Sequence, residues 1–213
     1  MGENRKMTTK EVANEKAERL MNGVAYWGAF YRKNPQRFCR DFMNVHLKLF
    51  QKILLFGMMH NNYFMFCASR GLGKTWLTAL FCVVRCILFP GTKICVASST
   101  RVQANEVLLK ITDDFCKNYG WGSDLLNNEI SYKSVGQNNG IIQFKCGSWI
   151  RVVTASDTGR GARANILIVD EFRMVDLDVI NTVLRKFLTA PRTPGYLNKK
   201  EYGSNNYNKL LLK

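Results

Sequence analysis

The chain has 213 residues, 46% of them apolar and 12% aromatic, enough for one well-buried domain and too apolar for a disordered chain. Its 31 Lys and Arg against 16 Asp and Glu give a net charge of +15 and a pI near 9.7, which points to a polyanionic partner, nucleic acid ahead of an anionic membrane surface. Seven cysteines without a CxxC pair or a His cluster argue against a metal site or a disulfide framework, and for small buried hydrophobes in a reducing compartment.

Met1 to Lys10 is charged and polar, unlike a signal sequence. Thr8 and Glu11 have capping-box spacing, which predicts a helix to about Met21. Tyr26, Trp27, Phe30 and Tyr31 follow at helical spacing until Asn34-Pro35, a stripe that reads as core packing. Two further amphipathic helices are expected between Gln36 and Phe56. Gln51 stands on the apolar face of the second, where an amide either caps the helix or reads an adenine edge. Residues 1–60 thus form an N-terminal helical segment, 61–190 a core and 191–213 a surface tail.

Tyr63 to Phe66 is short, aromatic and apolar, and predicts a buried strand. Cys67-Ala68-Ser69-Arg70-Gly71-Leu72-Gly73-Lys74-Thr75 comes next, and Trp76 to Phe89 predicts a buried helix. A small residue, four free positions and then Gly-Lys-Thr is the pattern of a phosphate-binding loop, with Ala68 where glycine usually stands. Gly71 and Gly73 let backbone N–H groups turn inward, the helix start adds a positive dipole end, Lys74 can reach the β- and γ-phosphates, and Thr75 offers a hydroxyl to Mg²⁺.

Lys93 to Ser98 predicts a strand, Ser98-Ser99-Thr100 offers N-cap residues, and a helix is expected from about Arg101 to Asn118, the grammar of a parallel sheet. Gly120 to Gln143 reads as an exposed insertion. Ile141 to Cys146 and Trp149 to Thr154 read as a hairpin. A loop with Arg160 and Arg163 then runs into Ile166-Leu167-Ile168-Val169-Asp170-Glu171, an apolar strand ending in two carboxylates. Opposite a phosphate loop, Asp170 would hold Mg²⁺ and Glu171 would deprotonate the attacking water. Transition-state charge calls for an arginine: Arg70 within the loop in cis, or Arg160 from a neighbouring subunit. A last helix is expected from Asp176 to Leu188.

Asn34-Pro35 with Arg37-Phe38, Leu49-Phe50-Gln51-Lys52-Ile53-Leu54-Leu55, Ser69 to Thr75, and Arg160-Gly161-x-Arg163-x-Asn165 leading into Ile168-Val169-Asp170-Glu171-Phe172 resemble the ATPase half of the large terminase subunit of tailed bacteriophages. The similarity runs from about Pro35 to Asn198. It implies an α/β P-loop NTPase fold of the additional-strand type, with a central, mostly parallel sheet flanked by helices. Ser69 to Thr75 would be its Walker A loop and Asp170-Glu171 its Walker B end. The site residues it implies are Gln51 at the adenine, Ser69, Arg70, Gly71, Leu72, Gly73, Lys74, Thr75 and Trp76 around the nucleotide, Thr75 and Asp170 at the metal, and Glu171, Arg70 and Arg160 in catalysis.

By the same resemblance the protein binds ATP and Mg²⁺ and drives double-stranded DNA into a procapsid. It would work as a homo-oligomeric ring with the portal protein and the small terminase subunit, in the cytoplasm of the bacterial host and without a membrane. The family's large subunit continues into a Ser/Thr-rich coupling motif and an RNase H-like nuclease domain. Neither is expected within these residues, which read as a truncated piece without nuclease activity. A helicase-like ATPase on single strands and a non-catalytic nucleotide- or DNA-binding remnant are the alternatives.

Overall fold

The computed structural model describes residues 9–69, 71–136, 140–154, 163–182, 184–188 and 192. Three helices come first: α1 (Thr9–Lys33), α2 (Pro35–Met43) and α3 (Leu49–His60). The two predicted pieces of α1 are one continuous helix, so Asn22-Gly23 does not break it. Pro35 sits in the first turn of α2, where its missing N–H is no loss, and Asn44 ends that helix in the left-handed conformation at φ 54°. Two further helices are α4 (Lys74–Leu88) and α5 (Arg101–Leu109), the latter continued by a π-helical stretch, Lys110–Phe115.

Five strands form one sheet: β1 (Lys93–Ser98), β2 (Ile130–Val135), β3 (Gly140–Phe144), β4 (Trp149–Thr154) and β5 (Ile166–Val169), in the order β2-β3-β4-β1-β5. β1 pairs in parallel with β4 and β5, whereas β2–β3 and β3–β4 are antiparallel. The sheet is therefore mixed, a correction to the mostly parallel sheet expected. The physical reason is that the short β3–β4 connection turns the chain straight back, and Gly140 to Phe144 then templates β2 on its other side.

Tyr63 to Phe66 forms no strand: these residues make no ladder, Tyr63 is 89% and Met65 77% exposed, and the Phe64 ring lies against Gly57. An apolar run becomes a strand only with a partner to take its backbone groups. The stretch expected as an insertion instead holds α6 (Trp121–Glu129) and β2. Its Gly120 starts the helix with a positive φ, and Leu126 is buried.

The main core joins α4, from Leu77 to Leu88, with Ile94 and Val96 of β1, Leu108 and Ile111 after them, and Ile142 and Ile150 of the sheet. A smaller cluster on the other face gathers Cys95, Ala97, Val153, Ala164, Val175 and Ile180. The aromatic stripe of α1 is only partly core: Tyr31 is buried, but Tyr26 is 69% and Trp27 53% exposed. All seven cysteines are free, five of them buried, with Cys67 exposed. Beyond β5 come α7 (Leu177–Thr182) and a 3-10 turn, Leu184–Phe187, where an α-helix from Asp176 to Leu188 is expected. Among the described residues no helix is long and apolar enough to cross a membrane.

Candidate active site

The glycine loop and the first turn of α4 form one half of the candidate site. Gly71 (φ 85°) and Gly73 (φ 72°) are both left-handed, a conformation that costs other residues about 1–2 kcal/mol. Gly73 is the N-cap of α4. Lys74, half-buried, bends its ammonium back to donate to the Ala68 carbonyl at 2.8 Å. Thr75 is half-buried in the same turn, while Ser69 and Leu72 are exposed. Trp76 turns the other way: its ring meets Phe115 at 5.3 Å, and its Nε1–H donates to the Tyr119 hydroxyl.

The other half lies at the end of β5. Asn165 anchors the start of that strand, its Oδ1 accepting from Lys93 N–H at 2.7 Å and its own N–H donating to the Lys93 carbonyl. The ladder then runs on until Asp170 N–H donates to Ala97 O at 2.8 Å. Asp170 Oδ1 accepts from Glu171 N–H at 2.9 Å. Glu171 takes φ 49° and ψ 47°, a left-handed conformation that is uncommon for a non-glycine residue and gathers at functional sites. Its Oε2 accepts from Gln103 Nε2 at 2.9 Å.

The structure thus brings Glu171 together with Gln103 and the hydroxyls of Ser98, Ser99 and Thr100. Among the described residues no hydrogen bond or ion pair joins Lys74 or Thr75 to Asp170 or Glu171. Arg70 and Arg160 lie outside the described residues, and Arg163 is exposed. Gln51 serves its helix, its Oε1 accepting from Lys48 N–H at 2.9 Å, which is half of a capping box. Gln103 was not singled out by the sequence reading. The signal was there, since Thr100-x-x-Gln103 is itself a capping-box spacing, and Thr100 does cap α5 by accepting from Gln103 N–H. Unlike Gln51, Gln103 turns the Nε2 of its amide away from the helix, to Glu171.

A family model for the terminase large subunit, T4likevirus-type, N-terminal, matches residues 65–196. The chain belongs to that family. Among curated proteins no match is found. The terminase match begins just ahead of the glycine loop and runs past Glu171, so it spans both halves of the site, with α1 to α3 lying before it. Membership carries a terminase-type role in DNA packaging, with DNA and the packaging machinery as partners in general terms.

Proposed function

We propose that this terminase chain is the ATP-hydrolysing part of a phage DNA-packaging motor, a P-loop ATPase of the additional-strand type that moves double-stranded DNA into a procapsid. The observation that carries the reading is the pairing, within one terminase match, of a left-handed glycine loop at the head of α4 with a strand that delivers two adjacent carboxylates.

In this reading the loop N–H groups from Ser69 to Thr75 face the phosphates, and Lys74 exchanges the Ala68 carbonyl for the β- and γ-phosphate oxygens. The oxygen donors of Thr75 and Asp170 suit Mg²⁺, which supplies charge neutralisation at the phosphates when bound. Glu171 takes a proton from the attacking water as the water oxygen bonds to the γ-phosphorus and the bond to the bridging oxygen breaks, leaving ADP and phosphate. Arg70 in cis and Arg160 in trans are the candidates to neutralise the γ-phosphoryl group. Gln51 keeps its Nε2 hydrogens and a second lone pair for an adenine edge while it caps α3. Trp76, with its indole engaged by Phe115 and Tyr119, contributes its backbone at the first turn.

The net charge of +15 supports a duplex DNA partner, and family membership supports a homo-oligomeric ring that meets a portal protein and a small terminase subunit in the host cytoplasm. The test is ATP turnover by the chain with Mg²⁺ and duplex DNA over a protein concentration series, because an arginine given in trans acts only in the oligomer. Lys74→Ala and Glu171→Ala are each expected to lower turnover by about 100-fold or more. Unchanged turnover in either variant overturns the reading, and nucleotide binding without turnover selects the non-catalytic remnant.

A further inference from the structure

Gln103 holds the third position of α5, from which the side chain of a capping box would accept from the backbone N–H of the N-cap residue. Its Oε1 instead lies 3.2 Å from the Ser98 hydroxyl, 2.8 Å from that of Ser99 and 2.9 Å from that of Thr100. Its Nε2 is 2.9 Å from Glu171 Oε2. A carbonyl oxygen has two lone pairs, so two of these hydroxyls are enough to fill it. The orientation of the amide is then fixed, because the reverse arrangement would set its oxygen against a carboxylate oxygen. Glu171 is restrained from the backbone as well, by its left-handed conformation and by its N–H on Asp170 Oδ1.

We propose that Gln103 is a positioning residue for Glu171, tying the carboxylate to the hydroxyl collar Ser98-Ser99-Thr100 at the end of β1. This rests on the reading of Glu171 as the base that accepts the water proton. A primary amide suits both stages of that step. Before transfer, Nε2 donates to the Glu171 carboxylate and leaves the other oxygen to receive the proton. After transfer, Oε2 is the carbonyl oxygen of the carboxylic acid and still accepts from Nε2, so the same bond holds Glu171 in both protonation states. The end of β1 and the start of α5, a helix packed on β1 and β4, thereby hold the base in place through the proton transfer.

Gln103→Met keeps the length and removes both polar atoms, while the cap of α5 survives because Thr100 Oγ1 accepts from the backbone of Gln103. With Mg²⁺, ATP and duplex DNA, the variant is expected to lose about tenfold in kcat with KM within about twofold, the pattern of an interaction that matters for the reacting step and not for binding. Gln103→Glu, which sets a carboxylate against Glu171, should lose at least as much, and Gln103→Met should change nothing further in a Glu171→Gln background. An unchanged kcat, or a rise in KM alone, overturns the proposal. Amide hydrogen exchange over residues 170–174 of the nucleotide-free protein separates this inference from the ATPase reading. Absent turnover in the unmodified chain sinks the ATPase reading, and exchange then decides on Gln103 alone. Faster exchange in Gln103→Met supports its hold on Glu171, and an unchanged rate overturns it.

Discussion

Lys74 donates its ammonium to the carbonyl of Ala68 at 2.8 Å, closing the glycine loop upon itself. The loop thus satisfies its own cation through a bond to one neutral oxygen, and phosphate oxygens would offer stronger, charge-assisted partners. Lys74→Ala should therefore weaken ATP binding by roughly 10- to 100-fold, about 1.4–2.8 kcal/mol. Stability should fall by only about 1 kcal/mol, the net worth of one ordinary hydrogen bond. Titration calorimetry with ATP and a urea melt check the two halves. Lys74→Arg should not restore binding, because a planar fork replaces a compact ammonium.

Asn165 fixes where β5 begins relative to β1, because its side chain and backbone both bond to Lys93, at 2.7 and 2.9 Å. The register that follows sets Val169 beside Ala97 and brings Asp170 and Glu171 to the end of the sheet. Asn165→Ala leaves the half-buried Lys93 N–H without its acceptor, and should cost about 1–3 kcal/mol. A lower urea midpoint with an unchanged slope is the expected result. An unchanged midpoint would show that the strand pairing sets the register without the amide.

Two helical glycines should respond in opposite directions to alanine. At Gly122 of α6 an added Cβ would stand 2.1 Å from the Met43 carbonyl oxygen and 2.3 Å from its carbon, so backbone must move. Gly122→Ala should destabilise the chain by about 3 kcal/mol, at the upper end of overpacking costs. At Gly28 of α1 an added Cβ meets nothing within 4 Å, and Gly28→Ala should stabilise by about 0.5–1 kcal/mol through the lost backbone freedom of the unfolded chain. Thermal melts of the two variants against the parent chain test the close approach of α6 to the end of α2.

The parts legible in the sequence were those whose signal is local and whose partners are apolar. Lys93 to Ser98 and Ile166 to Val169 are strands where their apolar runs placed them, and the hairpin around Gly147-Ser148 formed as its spacing implied. Tyr63 to Phe66 carried the same local signal and no ladder partner, so composition could not decide it. The polar stretch after Gly120 hid α6 and β2, because Leu126 and the pairing with β3 organise it and both are tertiary. Of the candidate site, the residue types and their loop were readable, including the left-handed glycines. Gln103 was not, since its spacing to Thr100 is the same whether its amide caps α5 or crosses to Glu171. That choice is made by a residue that follows β5, far along the chain.

Burial makes stability depend on pH through the cysteines. It pushes the thiols of Cys39, Cys82 and Cys86 far above their ordinary value, with neighbouring thiols adding to the effect at Cys86, and it raises Cys95 to about 11 from 9.0. A group whose value is raised on folding stabilises the native state fully below its unfolded value, and that stability is lost as pH climbs toward the folded value. Well below pH 9 the four thiols are protonated in both states and add no slope. Above it the unfolded chain ionises while the native core does not, so each thiol removes about 1.4 kcal/mol per pH unit. Four together should remove roughly 5 kcal/mol between about pH 9.5 and 10.5. Urea melts across that window should show the fall, and Cys82→Ala should reduce its steepness by about a quarter, after correction for the variant's loss of packing at neutral pH. The same burial predicts that at pH 8 the exposed Cys67 reacts first with a thiol reagent, and that Cys39, Cys82, Cys86 and Cys95 react only as the chain unfolds.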